Sequence, residues 1–164
     1  MENLEITPVT VENAPALASL AREIWTEHFT PIIGGAQVEY MLKKFQSAPA
    51  LTEQIRSGYR YYFFVLNGRT AGYTGIKKDG SSLFLSKIYV KKEFRGKKIA
   101  KAGIDFMKGI CLKETLKSIW LTVNKYNGSA IAAYNAMGFK NIRAQVTDIG
   151  GGFVMDDYVM ELKI

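Results

Sequence analysis

The positive charge of this chain is concentrated in one short segment. Between Lys91 and Lys101 there are six basic side chains and one acid, Glu93, for a net charge of +5, whereas the other 153 residues sum to +2. Surfaces that bind nucleic acid usually spread their positive charge along a face or a helix. A compact cluster suits one small polyanion, so we predict a phosphate-bearing ligand and no nucleic acid.

The surrounding sequence places this cluster between a strand and a helix. Leu83–Val90 reads as a strand, and apolar residues recur at helical spacing over roughly Ile99–Thr115. The first turn of a helix has unpaired backbone N–H groups and the positive end of the helix dipole, so lysines are unfavourable there unless an anion binds. Gly96 lets the backbone approach such a ligand closely. The alternative is a solvated charge run that tolerates its own repulsion.

At these residues the sequence resembles a known family. Arg95-Gly96-Lys97-Lys98-Ile99-Ala100 is similar to the acetyl-CoA loop of the GNAT acetyltransferases, Arg/Gln-x-x-Gly-x-Gly/Ala. The resemblance covers about Leu83–Lys140 through Ile88-Tyr89-Val90, which looks like the pantetheine-binding strand, and then through Leu121-Thr122-Val123-Asn124, Asn127, Ala130, Tyr134 and Gly138-Phe139. It implies an acetyl-CoA cosubstrate held by Ile88, Tyr89, Val90, Arg95, Gly96, Lys97, Lys98, Ile99, Ala100, Lys101 and Asn127.

One position of the loop departs from the family pattern. Lys98 stands where the family has its central glycine. A lysine can still donate its backbone N–H to a phosphate, provided that its φ stays negative as non-glycine residues prefer. The difference bears on the fine geometry of the loop more than on the identity of the coenzyme.

Few side chains are suited to acyl-transfer chemistry. Cys111 falls close to the apolar face of its helix, and His28 has no assignable cysteine or serine partner, so a covalent relay is not expected. Direct attack of an amine needs an acid for the departing thiolate. The reference pKa of tyrosine, about 10, suits that task, and the resemblance implies it for Tyr134. The alternative is one more core tyrosine among nine.

The general base cannot be assigned from the sequence. Many relatives carry a glutamate on the strand before the loop, but Phe84-Leu85-Ser86-Lys87 contains no acid. The conceivable substitutes, which we interpret as surface charges, are Glu27, His28, Asp156 and Asp157. A water chain or an amine that arrives neutral would serve as well.

The acceptor groove is expected between the early helices and the final hairpin. Its candidate lining is Trp25, His28, Phe29 and Tyr40 on one side and Gly150–Gly152 with Asp156 and Asp157 on the other. Aromatic rings and two carboxylates would suit a cationic amine, although ordinary core packing and a solvated turn explain the same residues. The glycine-rich turn loosely resembles the polyamine acetyltransferase branch. Protein α-amines, lysine side chains, small amines and aminoglycosides stay open.

The elements predicted to position these residues follow one another as a strand, helices, a three-strand meander, a helix, a strand, a helix and a final hairpin. The first helix is predicted to begin at a cap on Thr10 or Asn13 and to reach about Phe29. The other helices are predicted over about Gln37–Phe45, Thr52–Ser57, Ile99–Thr115 and Gly128–Met137. We therefore expect a mixed α/β fold of the GNAT type, with a mostly antiparallel sheet, a central parallel βαβ crossover and flanking helices. Residues 1–164 would form a single acetyltransferase domain.

Composition narrows the classes of protein further. With 48% apolar residues the chain can bury a core, and no apolar run is long enough for a membrane span. A single cysteine favours a cytoplasmic setting, and one cysteine with one histidine makes no metal site. A homodimer is a possible assembly. The competing readings are a CoA-binding regulatory module without turnover and a basic nucleic-acid binder.

Overall fold

The computed structural model describes residues 2–164, which fold into a sheet and five helices. The strands are β1 (Leu4–Pro8), β2 (Arg60–Leu66), β3 (Arg69–Asp79), β4 (Ser82–Val90), β5 (Ser118–Asn124), β6 (Lys140–Gly150) and β7 (Phe153–Lys163). The helices are α1 (Ala14–Ile33), α2 (Gly35–Phe45), α3 (Ala48–Arg56), α4 (Ile99–Glu114) and α5 (Gly128–Ala136). Within this part of the chain, no helix combines the length and apolar character needed to cross a membrane.

The strands form one sheet in the order β1-β2-β3-β4-β5-β7-β6. Every neighbouring pair is antiparallel except β4 and β5, which run parallel and are joined by α4. The predicted mixed α/β class is therefore confirmed, with a mostly antiparallel sheet and one central crossover. The β2-β3-β4 meander turns at Asn67-Gly68 and Asp79-Gly80, pairs of residues that favour tight hairpin turns.

The two parallel strands pair only where they begin. Ser82–Phe84 of β4 pairs with Ser118–Trp120 of β5, and the ladder ends there. Further along β4, the register against β3 shifts between Gly75 and Ile76, which makes Ser86 the extra residue of a bulge. Beyond this point β4 and β5 present unpaired edges to each other, so backbone N–H and C=O groups are left available between them.

Each face of the sheet carries its own apolar core. On one face, Ile104, Met107 and Cys111 of α4 pack among the residues of β4 and β5. On the other, α1, α2 and α3 cover buried tyrosines of β2 and β3, Tyr61 and Tyr73. Cys111 is fully buried, as its place on the helix predicted. The helices are thus divided between the two faces, and both cores include residues on either side of the gap between β4 and β5.

Three element boundaries differ from those predicted. Helix α1 passes through Pro31 and ends only at Gly34, whose φ of 86° is left-handed, so His28 lies inside the helix. Helix α3 begins at Ala48 because Ser47 Oγ caps it by accepting from the Ala50 N–H at 3.3 Å. The missing N–H of Pro49 is harmless in a first turn. The final hairpin, predicted over about Ile142–Asp148 and Tyr158–Leu162, is longer at both of its strands.

The turn between β6 and β7 is where glycine is required. Gly150, Gly151 and Gly152 all have positive φ, and a Cβ at Gly150 or Gly151 would come within 2.6–2.8 Å of the Tyr40 side chain. The Tyr40 hydroxyl donates to the carbonyl of Ile149 at 2.7 Å. This close packing fixes α2 against the hairpin, and with it one wall of the cavity described next.

Candidate active site

A cavity of about 750 Å³ lies at the gap between β4 and β5. Its walls come from α1, α2, α4, α5 and β7 in addition to the two parting strands. Of the twelve residues predicted for the site, all except Lys97 line this cavity: Ile88, Tyr89, Val90, Arg95, Gly96, Lys98, Ile99, Ala100, Lys101, Asn127 and Tyr134. Residues 2–164 contain no cluster of side chains able to hold a metal ion.

The end of β4 contributes to both cores and to the cavity. Ile88 is 8% exposed and belongs to the core beneath α4. Tyr89 faces the other way, and its ring meets Trp25 and Phe29 edge-on at 5.5 and 5.8 Å between centroids. The carbonyl of Val90 accepts a hydrogen bond from Arg95 Nε at 3.0 Å. The strand is therefore held rigidly up to the point where the basic loop begins.

The basic loop enters α4 through left-handed backbone. Gly96 has a φ of 80° and Lys98, the N-cap residue of α4, a φ of 61°. The condition of negative φ at Lys98 is thus not met, since the turn into the helix needs the conformation that glycine adopts freely. For a lysine this costs about 1–2 kcal/mol. The helix start also has no side-chain cap and no acid in its first turn.

Most of the cationic side chains around this loop are paired with acids, which lie on distant segments for Arg95 and Lys97 and on α4 itself for Lys101. Arg95 meets Glu27 of α1 at 2.7 Å, Lys97 meets Glu2 at 2.9 Å, and Lys101 meets Asp105 at 3.0 Å. The hydrogen bond from Arg95 lowers the pKa of Glu27. Exposed pairs of this kind contribute roughly 0–1 kcal/mol, so a phosphate can replace the acid. Within residues 2–164 Lys98 forms no ion pair.

Asn127 connects α5 to α1 across the cavity. It is the N-cap residue of α5 and is 6% exposed, but its side chain makes no capping hydrogen bond. Instead Asn127 Oδ1 accepts from His28 Nε2 at 3.2 Å and from Ser129 Oγ at 3.4 Å. Asn127 thus occupies the N-cap position while its side chain bonds to His28 and Ser129. Within residues 2–164 its amide nitrogen makes no hydrogen bond.

Tyr134 lies in the wall of the cavity on α5. Its ring packs against Phe139 at 5.5 Å between centroids, and its carbonyl accepts the Phe139 N–H at 3.0 Å in the predicted left-handed cap at Gly138. Burial raises the pKa of Tyr134 well above 10. The phenol therefore stays protonated over the physiological range and can act as a proton donor.

Asp157 lines the cavity, as the candidate groove lining predicted, but its burial was not expected. It was expected to be a surface charge, but it is 3% exposed, lines the cavity, and its Oδ2 has no hydrogen-bond partner among residues 2–164. Burial, with a smaller contribution from Asp156, raises its pKa to about 6. The alternation of inward and outward side chains along β7 could have predicted this burial, since Asp157 lies between Met155 and the buried Val159 on the inward face of the strand.

Two of the other candidate bases are engaged elsewhere, whereas His28 lines the cavity and contacts Asn127. Asp156 pairs with Lys125 at 2.9 Å on the opposite face of β7, and Glu27 pairs with Arg95. Neither acid lines the cavity. The expected pair of carboxylates is thus reduced to one, because neighbouring residues of a strand point to opposite faces.

The predicted aromatic lining is only partly correct. Trp25, His28 and Phe29 line the cavity on α1, with the Trp25 and Phe29 rings 4.3 Å apart. Tyr40 lies outside it, against Phe153 and the glycine turn, and Gly150–Gly152 do not reach it either. Tyr40 and the turn therefore support the wall from behind.

A polar recess at the far end of the cavity had no counterpart in the sequence interpretation. It is formed by residues of α3 and β4 and of the segments that follow α2 and α3, namely Gln46, Gln54, Tyr59, Ser86 and Lys87. The Lys87 ammonium lies among neutral oxygens there, and burial lowers its pKa to about 8.

One cavity thus combines a split sheet, an uncapped helix start, a buried acid and a phenol. These features are typical of a group-transfer enzyme that accepts an anionic donor. The sequence profile of the Acetyltransferase (GNAT) domain family matches residues 29–162. The chain therefore belongs to the GNAT acetyltransferases. This confirms the predicted enzyme class, an acetyl-CoA-dependent N-acetyltransferase.

Individual relatives agree over nearly the whole length. Spermidine N(1)-acetyltransferase of Thermoplasma acidophilum is 25% identical over 166 residues, covering 98% of each chain. The crystal structure of PaiA N-acetyltransferase from the same organism, in complex with coenzyme A, has a TM-score of 0.82 at 23% identity over 99% of both chains. The ribosomal-protein-S18-alanine N-acetyltransferase from Escherichia coli has a TM-score of 0.74 at 16% identity, covering 99% of this chain and 94% of that one.

Proposed function

We propose that this enzyme acetylates the primary amine of a small molecule that enters the cavity beside Asp157. The observation that carries this is a buried carboxylate without a hydrogen-bond partner, lining the same cavity as a protonated tyrosine. A buried acid of raised pKa in a cleft is a functional-site signal, because burial without a partner costs stability. The similarity to a spermidine acetyltransferase supports a small amine over a protein amine.

The residues at the coenzyme end fit acetyl-CoA, which would supply the activated acyl group. The uncapped start of α4, with left-handed Gly96 and Lys98 before it, directs N–H groups at an anion. The unpaired edges of β4 and β5 offer partners to an amide-bearing arm. We propose that Ile88, Tyr89, Val90, Arg95, Gly96, Lys98, Ile99, Ala100, Lys101 and Asn127 hold it, with Arg95 acting by positioning Val90.

Lys97 fits this proposal less well than the other predicted coenzyme-binding residues. It does not line the cavity, and its ammonium is directed to Glu2. We propose that it contributes through the general positive potential near the phosphates.

The proton transfers can be divided between two residues. Asp157, ionised above about pH 6, accepts the proton that the amine loses. Tyr134 donates a proton to the departing thiolate, and its burial keeps that proton in place until it is needed. One proton is taken up and one is released, so the pair is reset by exchange with solvent after each turnover.

Release of free thiol from acetyl-CoA in the presence of an amine panel tests the proposal. The panel should hold small monoamines, diamines, spermidine, amino acids and peptides with free α-amino groups. We expect turnover with small amines and none with the peptides. Coenzyme binding by calorimetry without turnover for any amine would instead support the CoA-binding module without catalysis.

Three further expectations stay proposals. We propose that residues 1–164 act as one acetyltransferase domain, which the single sheet through residues 2–164 supports. For the homodimer we propose the edge strand β6, whose Ile142 and Val146 are 48% and 64% exposed. Light scattering of Val146→Lys against the parent protein tests this. The cytoplasmic setting still rests on the lone Cys111.

A further inference from the structure

Lys87 carries a charge that the acetyl-transfer proposal does not use. Its Nζ donates to the Tyr61 hydroxyl at 2.6 Å, to Gln54 Oε1 at 3.2 Å and to Ser86 Oγ at 3.4 Å. It also lies 5.2 Å from the centre of the Tyr61 ring. All of these partners are neutral, and no carboxylate of residues 2–164 forms an ion pair with it. The ammonium is therefore solvated by the protein but not neutralised.

The recess around Lys87 is built to hold this side chain in one place. Lys87 follows the bulged Ser86, so the shift in register turns it toward α3. Tyr61, which is buried, donates its own hydroxyl proton to Gln54 Oε1, and Gln54 Nε2 donates to the carbonyl of Phe45 at 2.8 Å. A methionine would fill the same space without the cost of a buried charge. A fixed ammonium at the wall of a substrate cavity is suited to an anion.

The charges around the cavity do not favour a polycation. Asp157 is the only acid among the lining residues that the structure describes, whereas the basic residues are Lys87, Arg95, Lys98 and Lys101. Arg95 is paired with Glu27, and Lys98 and Lys101 lie at the start of α4, the proposed coenzyme end. The acceptor end therefore presents one negative group, Asp157, and one positive group, Lys87.

We propose that the acceptor is a small amine that also carries a carboxylate, with its amine at Asp157 and its carboxylate at Lys87. This rests on the proposed function, since it assigns the second contact of the same substrate. Burial lowers the pKa of Lys87 to about 8, and a bound carboxylate would raise it again. A diamine or polyamine of the same length meets repulsion at the recess.

Matched pairs of substrates test the inference directly. L-Lysine and cadaverine differ only by the carboxylate, as do L-ornithine and putrescine. We expect kcat/KM to be at least about tenfold higher for each amino acid, which is the lower range for a hydrogen bond to a charged group. Equal or higher values for the diamines would overturn the inference and leave the acetyltransferase proposal intact.

The span between the two groups can be measured with a series of amino acids. The series β-alanine, 4-aminobutyrate and 6-aminohexanoate moves the carboxylate away from the amine in steps, and we expect one length to be preferred. A flat response would count against a fixed carboxylate contact. Comparison of kcat/KM for free lysine with that for a dipeptide ending in lysine distinguishes a free amino acid from a peptide carboxyl terminus as the acceptor.

Variants identify the residue responsible. Lys87→Met should remove the preference for lysine over cadaverine, mainly through KM, and Lys87→Arg should restore part of it. The matched control is Lys77→Met, because Lys77 also lies over the Tyr59 ring, at 4.9 Å, but does not line the cavity. A preference that survives in Lys87→Met would overturn the assignment.

A binding measurement separates this inference from the proposed function. Calorimetric titration of lysine or cadaverine into the protein saturated with CoA requires no turnover. We expect lysine to bind more tightly than cadaverine in the parent protein and equally in Lys87→Met. Equal binding in the parent overturns the carboxylate contact, whereas absence of turnover with every amine overturns only the proposed function.

Discussion

The two ends of the cavity are built in different ways. The coenzyme end is made of backbone, namely the left-handed Gly96 and Lys98, the uncapped start of α4 and the unpaired edges of β4 and β5. The proposed acceptor end is made of side chains, above all Asp157 and Lys87, which line the same cavity from β7 and β4.

This difference separates what is general from what is specific. A cosubstrate common to a family can be bound by groups that every residue possesses, so its site tolerates side-chain change as long as the backbone path is kept. Acceptor choice requires particular charges at particular places, and these come from distant segments. Substitutions at the acceptor end should therefore change the reaction, and those at the coenzyme end should change binding.

The largest expected effect is at the acceptor end. Asp157→Asn should lower kcat/KM by about 10²–10⁴-fold, the usual contribution of a general base. In the parent enzyme kcat/KM should fall as the pH drops through about 6, because Asp157 becomes protonated there, and the variant should lack this dependence. A pH profile of kcat/KM for both proteins with one amine checks the assignment. A variant whose kcat/KM still falls as the pH drops through about 6 (the acid limb of the profile) would refute it.

Asp156→Asn is the matched control for that substitution. Asp156 adjoins Asp157 but pairs with Lys125 outside the cavity. We expect nearly normal turnover, with the acid limb moved to a slightly lower pH because the charge of Asp156 contributes to the raised pKa of Asp157. If Asp156→Asn lowered kcat/KM as much as Asp157→Asn does, the activity would depend on the structure of β7 rather than on the Asp157 carboxylate.

The Asp157→Asn substitution should also stabilise the fold at neutral pH. The pKa of Asp157 is raised from 3.8 to about 6, so its effect on the free energy of unfolding is most favourable below pH 4 and is lost as the pH rises through 6. Above pH 6 the ionised group costs about 3 kcal/mol, and Asp157→Asn should recover part of this. Denaturation at pH 7.5 and pH 4 measures it, and a destabilised variant at pH 7.5 would contradict the proposed cost.

Tyr134→Phe should have the next largest effect on the reaction. We expect kcat to fall by about 10²-fold, since a general acid is lost, while CoA binds as in the parent protein. Thiol release and calorimetry together separate the two quantities. Equal rates would mean that the thiolate obtains its proton elsewhere, and weakened CoA binding would indicate a packing role on α5.

At the coenzyme end we expect smaller changes, confined to binding. Lys98→Glu keeps the strained backbone but reverses the charge beside the helix start, so CoA affinity should fall by about 10–100-fold. Unchanged affinity would remove the side chain of Lys98 from the site. Turnover at saturating coenzyme should stay close to that of the parent, in contrast to the acceptor-end variants.

The smallest effect is expected for Lys98→Gly, which tests the backbone alone. Because Lys98 has a φ of 61°, glycine should relieve about 1 kcal/mol of strain and raise the melting temperature slightly. CoA binding should persist, since the N–H groups remain. A lower melting temperature would show that the lysine side chain, not its φ, dominates at this position.

Local patterns in the sequence predicted the fold well, and they also carry the proposal for the coenzyme end. Turn residues such as Asn67-Gly68 and the spacing of Ile99, Phe106 and Ile110 identify strands and helices because secondary structure depends on neighbours along the chain. The loop motif and Tyr134 fall within one continuous stretch. Boundaries that depended on single side chains, such as the Ser47 cap of α3, were predicted less well.

The acceptor end could not be predicted in the same way. Asp157 and Lys87 look like ordinary surface charges in the sequence, because their burial arises only from the tertiary packing around the cavity. Similarly, the acids that neutralise Arg95 and Lys97, Glu27 and Glu2, lie more than 65 residues away along the chain.

The sequence by itself thus determined the family, the order of the elements and the position of the loop motif, because each depends on short segments whose conformation is set locally. Tertiary structure alone decided which carboxylate is buried at the cavity, where the unpaired ammonium lies and what Asn127 contacts. Burial and charge pairing arise from residues distant in sequence, and a pKa is a property of that surrounding rather than of the residue.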